Sequence, residues 1–465
     1  MATAEAYPAK RFFVDMLVRD IELKDALLDL LDNCVDGVMR TPHVAADQTR
    51  PYEGYWANIE FDHDSFTITD NCGGIPFELA EKSAFRLGRK DEHLDEDLPT
   101  VGLYGIGMKR AIFKMGSSAK VTSMRADRSF YVEITPEWMA DDNSWEFEIV
   151  DVDNPADDVH GTTICVSHLR PAIAKTFSQV EFLNEFLEDV KAYYSYIIEK
   201  GFKVTINGKD AEAKKIRFLL EAQSDGEGQS IAPFVYRREG QGDGVDVFLS
   251  VGLYRNSPTE DEEDQELEGR ASSENAGWTI ICNDRVVLHA DKTRLTGWGE
   301  ATVPAYHTQF VAIAGVVIFR SNDPSKLPLT TTKRGVDANS EIYLQVKDFM
   351  RDGLKLFTNY TNRWKRRSQE RKQRETDSDT IATVLPEEVA HSEQLKFTAV
   401  RRSIGGEQSR PVLPAPTTFT DKWIRFSRPE SEVRAVSQLL FGTPDAKPAE
   451  VGEECFNRAL KELDQ

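Results

Sequence analysis

The chain has 465 residues, 40% hydrophobic and 29% charged, with a formal net charge of −21; it is long enough for two or three domains, and its composition is ordinary for a soluble globular protein. The acidic balance argues against a surface that grips nucleic acid over its whole extent. No run of about 18 uncharged apolar residues predicts a membrane span, and the scattered Cys34, Cys72, Cys165, Cys282 and Cys455 form neither a disulfide framework nor a zinc pattern and suit a reducing compartment.

In chain order, "MATAEAYPAKRFF" lacks the apolar core and cleavage site of a secretory leader, so a cytoplasmic location is expected. "FFVDMLVRDIELKDALLDLLDNCVDGVMR" reads as helix, broken near Arg19–Ile21. "ANIEFDHDSFTITD" gives two β-rich runs around a turn. "PFELAEKSAFRLG" opens a helix on Pro76 and closes it at Gly88, and the acidic "RKDEHLDEDLPT" after it reads as loop. "GIGMKRAIFKMG" reads as a helix begun by a glycine-rich turn, followed by strand-like "AKVTSM", "SFYVEIT", "WEFEIVDV" and "TTICVSHL". Helices and antiparallel strands fall in separate groups, which predicts an α+β layer.

A second block begins with the helical "EFLNEFLEDVKAYYSYIIEKG" and continues through the strand-like "FKVTING", "DVFLSVGLYR", "GWTIICNDRVVL" and "FVAIAGVVIFRS". An acidic run, "EDEEDQELE" at 260–268, lies between strands. A long helix from Asn339 ends in the basic run "RWKRRSQERKQR" at 363–374. Residues 375–420 are polar with proline-rich patches and read as linker with some local structure, and the tail shows helical apolar spacing again.

Chemistry concentrates in four stretches. In "DLLDNCVDG", Asp29, Asn33 and Asp36 share one helix face at i, i+4 and i+7, while Leu27, Leu28, Leu30, Leu31 and Val35 cover the rest. Neighbouring carboxylates repel unless a cation or donors sit among them, and a magnesium ion with oxygen ligands would serve; a solvated polar face accounts for the same pattern. "TITDNCGGIP" places Asp70 at a strand end before Gly73 and Gly74, where it can accept from an exocyclic amine. "VGLYGIGMKRA" sets Gly102, Gly105 and Gly107 before a helix, an arrangement that favours phosphate yet is neither a Rossmann nor a Walker A pattern. "HGTTICVSHL" opens a strand on Gly161 and Thr162.

The order and spacing of these stretches resemble the GHKL ATPases, the superfamily of DNA gyrase B subunits, MutL, histidine kinases, MORC proteins and heat-shock chaperones. The helix resembles their N-box, "DNCGGI" and "GLYGIGMKRA" their two glycine boxes, and "GTTI" their closing G-T motif. The likeness is close over roughly residues 10–170 and extends to 360 as a transducer domain, through "GWTIICNDRVVL" and the lysine-bearing loop "LPLTTTKRGVD". It implies an N-terminal Bergerat-type α/β sandwich at 1–172, a transducer-like α/β domain at 173–360, a basic helix end and linker at 361–384, and a small, mainly helical, partner-binding region at 385–465.

The resemblance also implies ATP and Mg2+ as ligands and assigns roles. Asn33 would hold the metal, and Asp29 stands where a glutamate activates water. Asp70 would read the adenine amine with help from Thr162 or Thr163. Asp36, Gly74, Gly102, Gly105, Gly107 and Met108 would line the nucleotide, with residues 88–107 as a lid. Lys333 would reach the γ-phosphate from the second domain. Lys109 reads equally as a phosphate contact or a solvated helix lysine, and Asp32 fits the motif as a structural acceptor.

Aspartate at position 29 is one methylene short of the usual glutamate, which predicts slow hydrolysis and a long-lived ATP state. Cys72 takes the place of a glycine, and Cys34 and Cys72 read as small buried fillers. The expected function is an ATP-gated, dimerising switch acting on a protein partner or DNA; the alternative is a nucleotide-sensing scaffold with negligible turnover. The basic run at 363–374 reads either as a DNA-phosphate contact or as a solvated helix end. Compact bacterial proteins of this layout resemble components of mobile-element or phage-defence operons.

Overall fold

Apolar residues at helical spacing in 23–39 and alternating ones in 56–70 each need a surface to cover, and they cover one another. The computed structural model describes residues 9–40, 50–86, 106–142, 144–152, 160–214, 216–221, 229–240, 243–256, 275–330, 333–365, 381–389, 392, 395–401, 404–416 and 427–463. The first layer comprises α1 (Lys10–Arg19), α2 (Leu23–Met39), β1 (Trp56–Phe61), β2 (Phe66–Asp70) and α3 (Phe77–Leu79), which runs into a π-turn (Ala80–Ala84). It continues with α4 (Gly107–Met115), β3 (Gly116–Met124), β4 (Phe130–Ile134), α5 (Pro136–Ala140), β5 (Ile149–Asp151) and β6 (Gly161–Leu169). Next come α6 (Pro171–Phe177), α7 (Val180–Tyr193), α8 (Ser195–Glu199), β7 (Lys203–Ile206) and β8 (Lys209–Asp210).

These strands form one sheet in the order β5-β4-β3-β6-β2-β1-β7-β8, antiparallel except for the parallel pair β1–β7. Burial alternates along β1, β2 and β4, so one face of the sheet is packed and the other is more open. A single core runs from Val14 to Ala211. The helix break falls between Arg19 and Leu23, as the sequence predicts. The expected boundary at 172 lies just before α6's second turn, but the sheet continues beyond it, because β7 covers what would be the open edge of β1.

The second layer contains β9 (Phe218–Glu221), β10 (Phe234–Arg238), β11 (Asp246–Leu253), β12 (Gly277–Cys282), β13 (Arg285–Asp291), β14 (Ile313–Arg320) and α9 (Glu341–Trp364). It is completed by β15 (Ile381–Val384), α10 (Pro386–Val389), β16 (Thr398–Ala399) and β17 (Glu407–Ser409). Its sheet runs β13-β12-β14-β11-β10-β17-β16, and β15 pairs with β9. The stretch 375–420, expected as linker with some local structure, supplies strands to both sheets of this layer. Helix α9 lies close over β11: a Cβ on Gly353 would come within 2.3 Å of Val251 Cγ1. On the other face, Ile281, Val286, Ala314, Val316 and Ile318 meet Tyr193 and Tyr196 of the first layer. Thus α7 and α8 are sandwiched, with Phe186 and Val190 facing the first core.

The overall class is α+β, as expected. Residues 417–465 form a separate unit in which α11 (Glu430–Phe441) ends at Gly442, φ 71°, and α12 (Pro448–Leu463) follows. No helix among the described residues is long and apolar enough to cross a membrane. The acidic run 260–268, the glycines Gly102 and Gly105 of the expected lid, and the basic run from Arg366 onward lie outside the described residues.

Candidate functional site

Helix α2 carries the site. Its leucines are buried against the first core, and so are Asp29, Asp32 and Asp36. Asn33 is the exposed position among them. Three buried carboxylates on adjacent turns demand compensation, and cations arriving from other elements provide it. Arg110, in the first turn of α4, places Nη2 2.7 Å from Asp29 Oδ2. Lys333, from the loop before α9, sits 3.8 Å from Asp29 Oδ1 and 3.1 Å from Asp32 Oδ2. Arg285, at the start of β13, donates from Nε to Asp32 Oδ1 at 2.8 Å.

The β12–β13 hairpin drives that last contact. Its two-residue turn, Asn283 and Asp284, has φ of 45° and 66°, the left-handed pair expected of a tight hairpin. The turn presents Arg285 to α2, with the guanidinium 4.3 Å from the Tyr194 ring. The Tyr194 hydroxyl lies 2.5 Å from Asp32 Oδ1 and 2.9 Å from the Leu28 carbonyl. Beside it, Asp284 accepts from Lys200 at 2.6 Å and from Tyr52 at 3.2 Å. Arg334 pairs with Asp25 at the start of α2. The second layer therefore holds the site helix by three ionic struts.

Burial would raise the Asp32 carboxyl, but Arg285 and Lys333 beside it prevail and hold it down to about 2. Burial pushes Asp29 up against the opposing pull of Lys333. Burial would lower Lys333, yet the Asp32 and Asp29 carboxylates keep its ammonium above the usual lysine range. Lys333 also has φ of 55°, a left-handed backbone unusual for a lysine.

The "DNCGGI" turn abuts α2. A Cβ on Gly37 would stand 2.7 Å from the Cys72 carbonyl, so helix and turn are in backbone contact. Asp70 Oδ1 accepts from the N–H groups of Cys72 (2.8 Å) and Thr162 (3.3 Å), while Oδ2 accepts from the Cys34 thiol at 3.4 Å. Thiols are weak donors, so Oδ2 retains capacity for a stronger one. Burial raises Cys34 and Cys72 well above the usual thiol range, consistent with inert fillers. Gly161 opens β6 against Asp70: a Cβ there would lie 1.8 Å from the Asp70 carbonyl. Thr163 Oγ1 lies 3.4 Å from Thr69 Oγ1.

Lys109 is not the solvated lysine that one reading offered. Lys109 is buried and donates to the Ala84 carbonyl at 2.8 Å, at the end of the π-turn, because a buried ammonium needs an acceptor and that carbonyl supplies one. Gly74, φ 69°, is crowded by the Met124 carbonyl and Arg125, so it serves the turn. Met108 packs against the first core. Gly107 begins α4, its Cα close against Asp29. Arg110, Arg285 and Tyr194 were not singled out from sequence. Arg110 lies within the quoted glycine motif, and an arginine just inside a helix N-terminus, where a cation opposes the dipole, was the available signal.

A family model described as "Histidine kinase-, DNA gyrase B-, and HSP90-like ATPase" matches residues 21–162. No curated protein matches the chain. The residues present fit a nucleotide with a divalent ion: a solvent-facing amide at Asn33 among buried carboxylates, an underused acceptor at Asp70, and a helix N-terminus at Gly107.

Proposed function

The N-terminal domain belongs to the GHKL ATPase superfamily, and on that premise we propose that the protein is a slow, Mg2+-dependent ATPase that works as a nucleotide-gated switch between its two layers. ATP binding is supported by the family. The observation that carries the switch is Lys333, which comes from the second layer yet stands 3.1 Å from Asp32 and 3.8 Å from Asp29 on the site helix. Asn33 would hold the magnesium ion, and Asp70 with Thr162 would receive the adenine edge. The ion supplies charge neutralisation to the phosphates. Asp29 accepts the proton of the attacking water. Lys333 leaves its carboxylates for the γ-phosphate, so occupancy of the site is felt by β13, β14 and α9.

Closure of this kind suits an ATP-dependent homodimer. A protein partner would meet the C-terminal unit, where Leu439, Phe441, Phe456 and Leu460 are exposed, and DNA phosphates would meet the basic run that begins at Arg363. Turnover and nucleotide affinity of wild type, Asn33→Ala and Lys333→Ala, with and without DNA, test the proposal, together with molecular size in a non-hydrolysable ATP analogue. Loss of tight ATP binding in Asn33→Ala is expected; a monomer in both nucleotide states would end the dimer reading. A second reading, a sensor with negligible turnover, is favoured by the pairing of Asp29 with cations on both oxygens. Tight binding without measurable phosphate release selects it.

A further inference from the structure

Arg110 is the cation at this site that comes from the ATP-binding domain's own α4. It reaches across to Asp29 with side chains only 15% and 6% exposed. Its Nη2 bonds Asp29 Oδ2, and its Nε is buried with no hydrogen-bond partner among the described residues. On the same side, a Cβ on Gly107 would come within 3.2 Å of Asp29 Oδ2, so α4 closes that flank. The other oxygen, Oδ1, lies 3.8 Å from Lys333 Nζ.

A base must be held within hydrogen-bond reach of its water, and a displacement of about 1 Å costs about 100-fold in rate. An aspartate on α2 has little reach of its own. A planar guanidinium on a neighbouring helix fixes it better than a flexible ammonium would. We infer that Arg110 is a positioning residue for Asp29: it grips Oδ2 and so presents Oδ1 to the reacting water. This rests on the reading of Asp29 as the base. Asp29 Oδ1 takes one proton from water while the water oxygen bonds the γ-phosphorus; the bond to the β–γ bridging oxygen breaks, and ADP leaves with that electron pair. The groups facing Asp29 are Arg110 from α4, Lys333 from the loop before α9, Asp32 on α2 and Tyr194 after α7.

The test uses the full chain with Arg110→Met and Arg110→Lys, measuring kcat, KM, nucleotide affinity and the pH dependence of kcat. Arg110→Met is expected to lower kcat by about 100-fold at unchanged affinity, and to move the acidic limb to higher pH because the carboxylate loses a stabilising cation. Arg110→Lys is expected to recover part of the rate and part of the limb. Should Arg110→Met fail to fold, Arg110→Lys still carries the test through its lowered kcat at unchanged melting temperature. Wild-type kcat in either folded variant overturns the inference, as does a parallel fall of kcat and affinity with the limb unmoved, which marks a plain helix pin. Asp29→Asn separates the two layers of reasoning. If it turns over normally, the base reading fails and this inference with it; if it is dead while Arg110→Met is normal, this inference alone fails.

Discussion

Arg285→Met removes the strut that ties the β12–β13 hairpin to the site helix. Arg285 and Asp32 are 1% and 2% exposed, and stranding one partner of such a pair costs about 3–5 kcal/mol. Lys333 remains 3.1 Å from the other Asp32 oxygen, which brings the expected loss toward the lower end. The Tyr193 carbonyl loses its donor at 3.1 Å, and the Tyr194 ring loses its stacked cation; these restore part of what Lys333 saves, so we expect about 3–4 kcal/mol. Urea unfolding of wild type, Arg285→Met, Asp32→Asn and the double variant measures it as a coupling energy. In the Asp32→Asn background the arginine has no buried anion to neutralise, and its removal is expected to cost far less. A single variant within about 0.5 kcal/mol of wild type, the range of ordinary surface changes, or equal losses in both backgrounds, refutes the account of the strut.

Asp32 is held down to about 2 in the folded chain, below the ordinary aspartate value of about 3.9; its contribution of about 2 kcal/mol is present above about pH 4 and lost as pH falls toward 2. Acid titration of stability in Asp32→Asn is expected to lack that slope, and the difference from wild type isolates Asp32 from Asp29, whose raised value acts with the opposite sign. Gly161→Ala forces a methyl to within 1.8 Å of the Asp70 carbonyl; thermal unfolding is expected to shift sharply downward and adenine-nucleotide affinity to fall with it. Cys455 is exposed while Cys34 and Cys72 are buried, so maleimide under native conditions is expected to label Cys455 and spare the other two until urea is added.

Helix α2 and the hairpin after it were legible because leucine spacing and strand alternation are local signals, and they read through to the structure. The spacing of Asp29, Asn33 and Asp36 on that helix is local too, but it does not tell that Asp29 and Asp36 are buried while Asn33 is exposed. What supplies the counter-charge there was only partly legible. Lys333 came through the family resemblance, but Arg285 and Tyr194 meet Asp32 across long stretches of chain that no periodicity encodes. Lys109 and Arg110 are adjacent, and the sequence could not tell which one turns inward to Asp29; the carbonyl left at Ala84 by the π-turn decides it. Strands β15, β16 and β17 were hidden in a polar, proline-bearing stretch because they are two to four residues long, too short for alternation to register.

The parallel pairing of β1 with β7 has a consequence for biosynthesis. The parallel partner of Trp56 arrives only with Lys203, and Ser409, which pairs with Val235 of β10 on its other edge, arrives later still. Neither strand is covered on both sides as it leaves the ribosome: β1 waits from residue 61 to 203 and β10 from residue 238 to 407, so the nascent chain carries first one uncovered edge and then another. Long-range pairing of this kind slows folding and exposes sticky intermediates. Shielding of those edges until their partner strands arrive is therefore expected to bear on how much of the chain folds rather than aggregates.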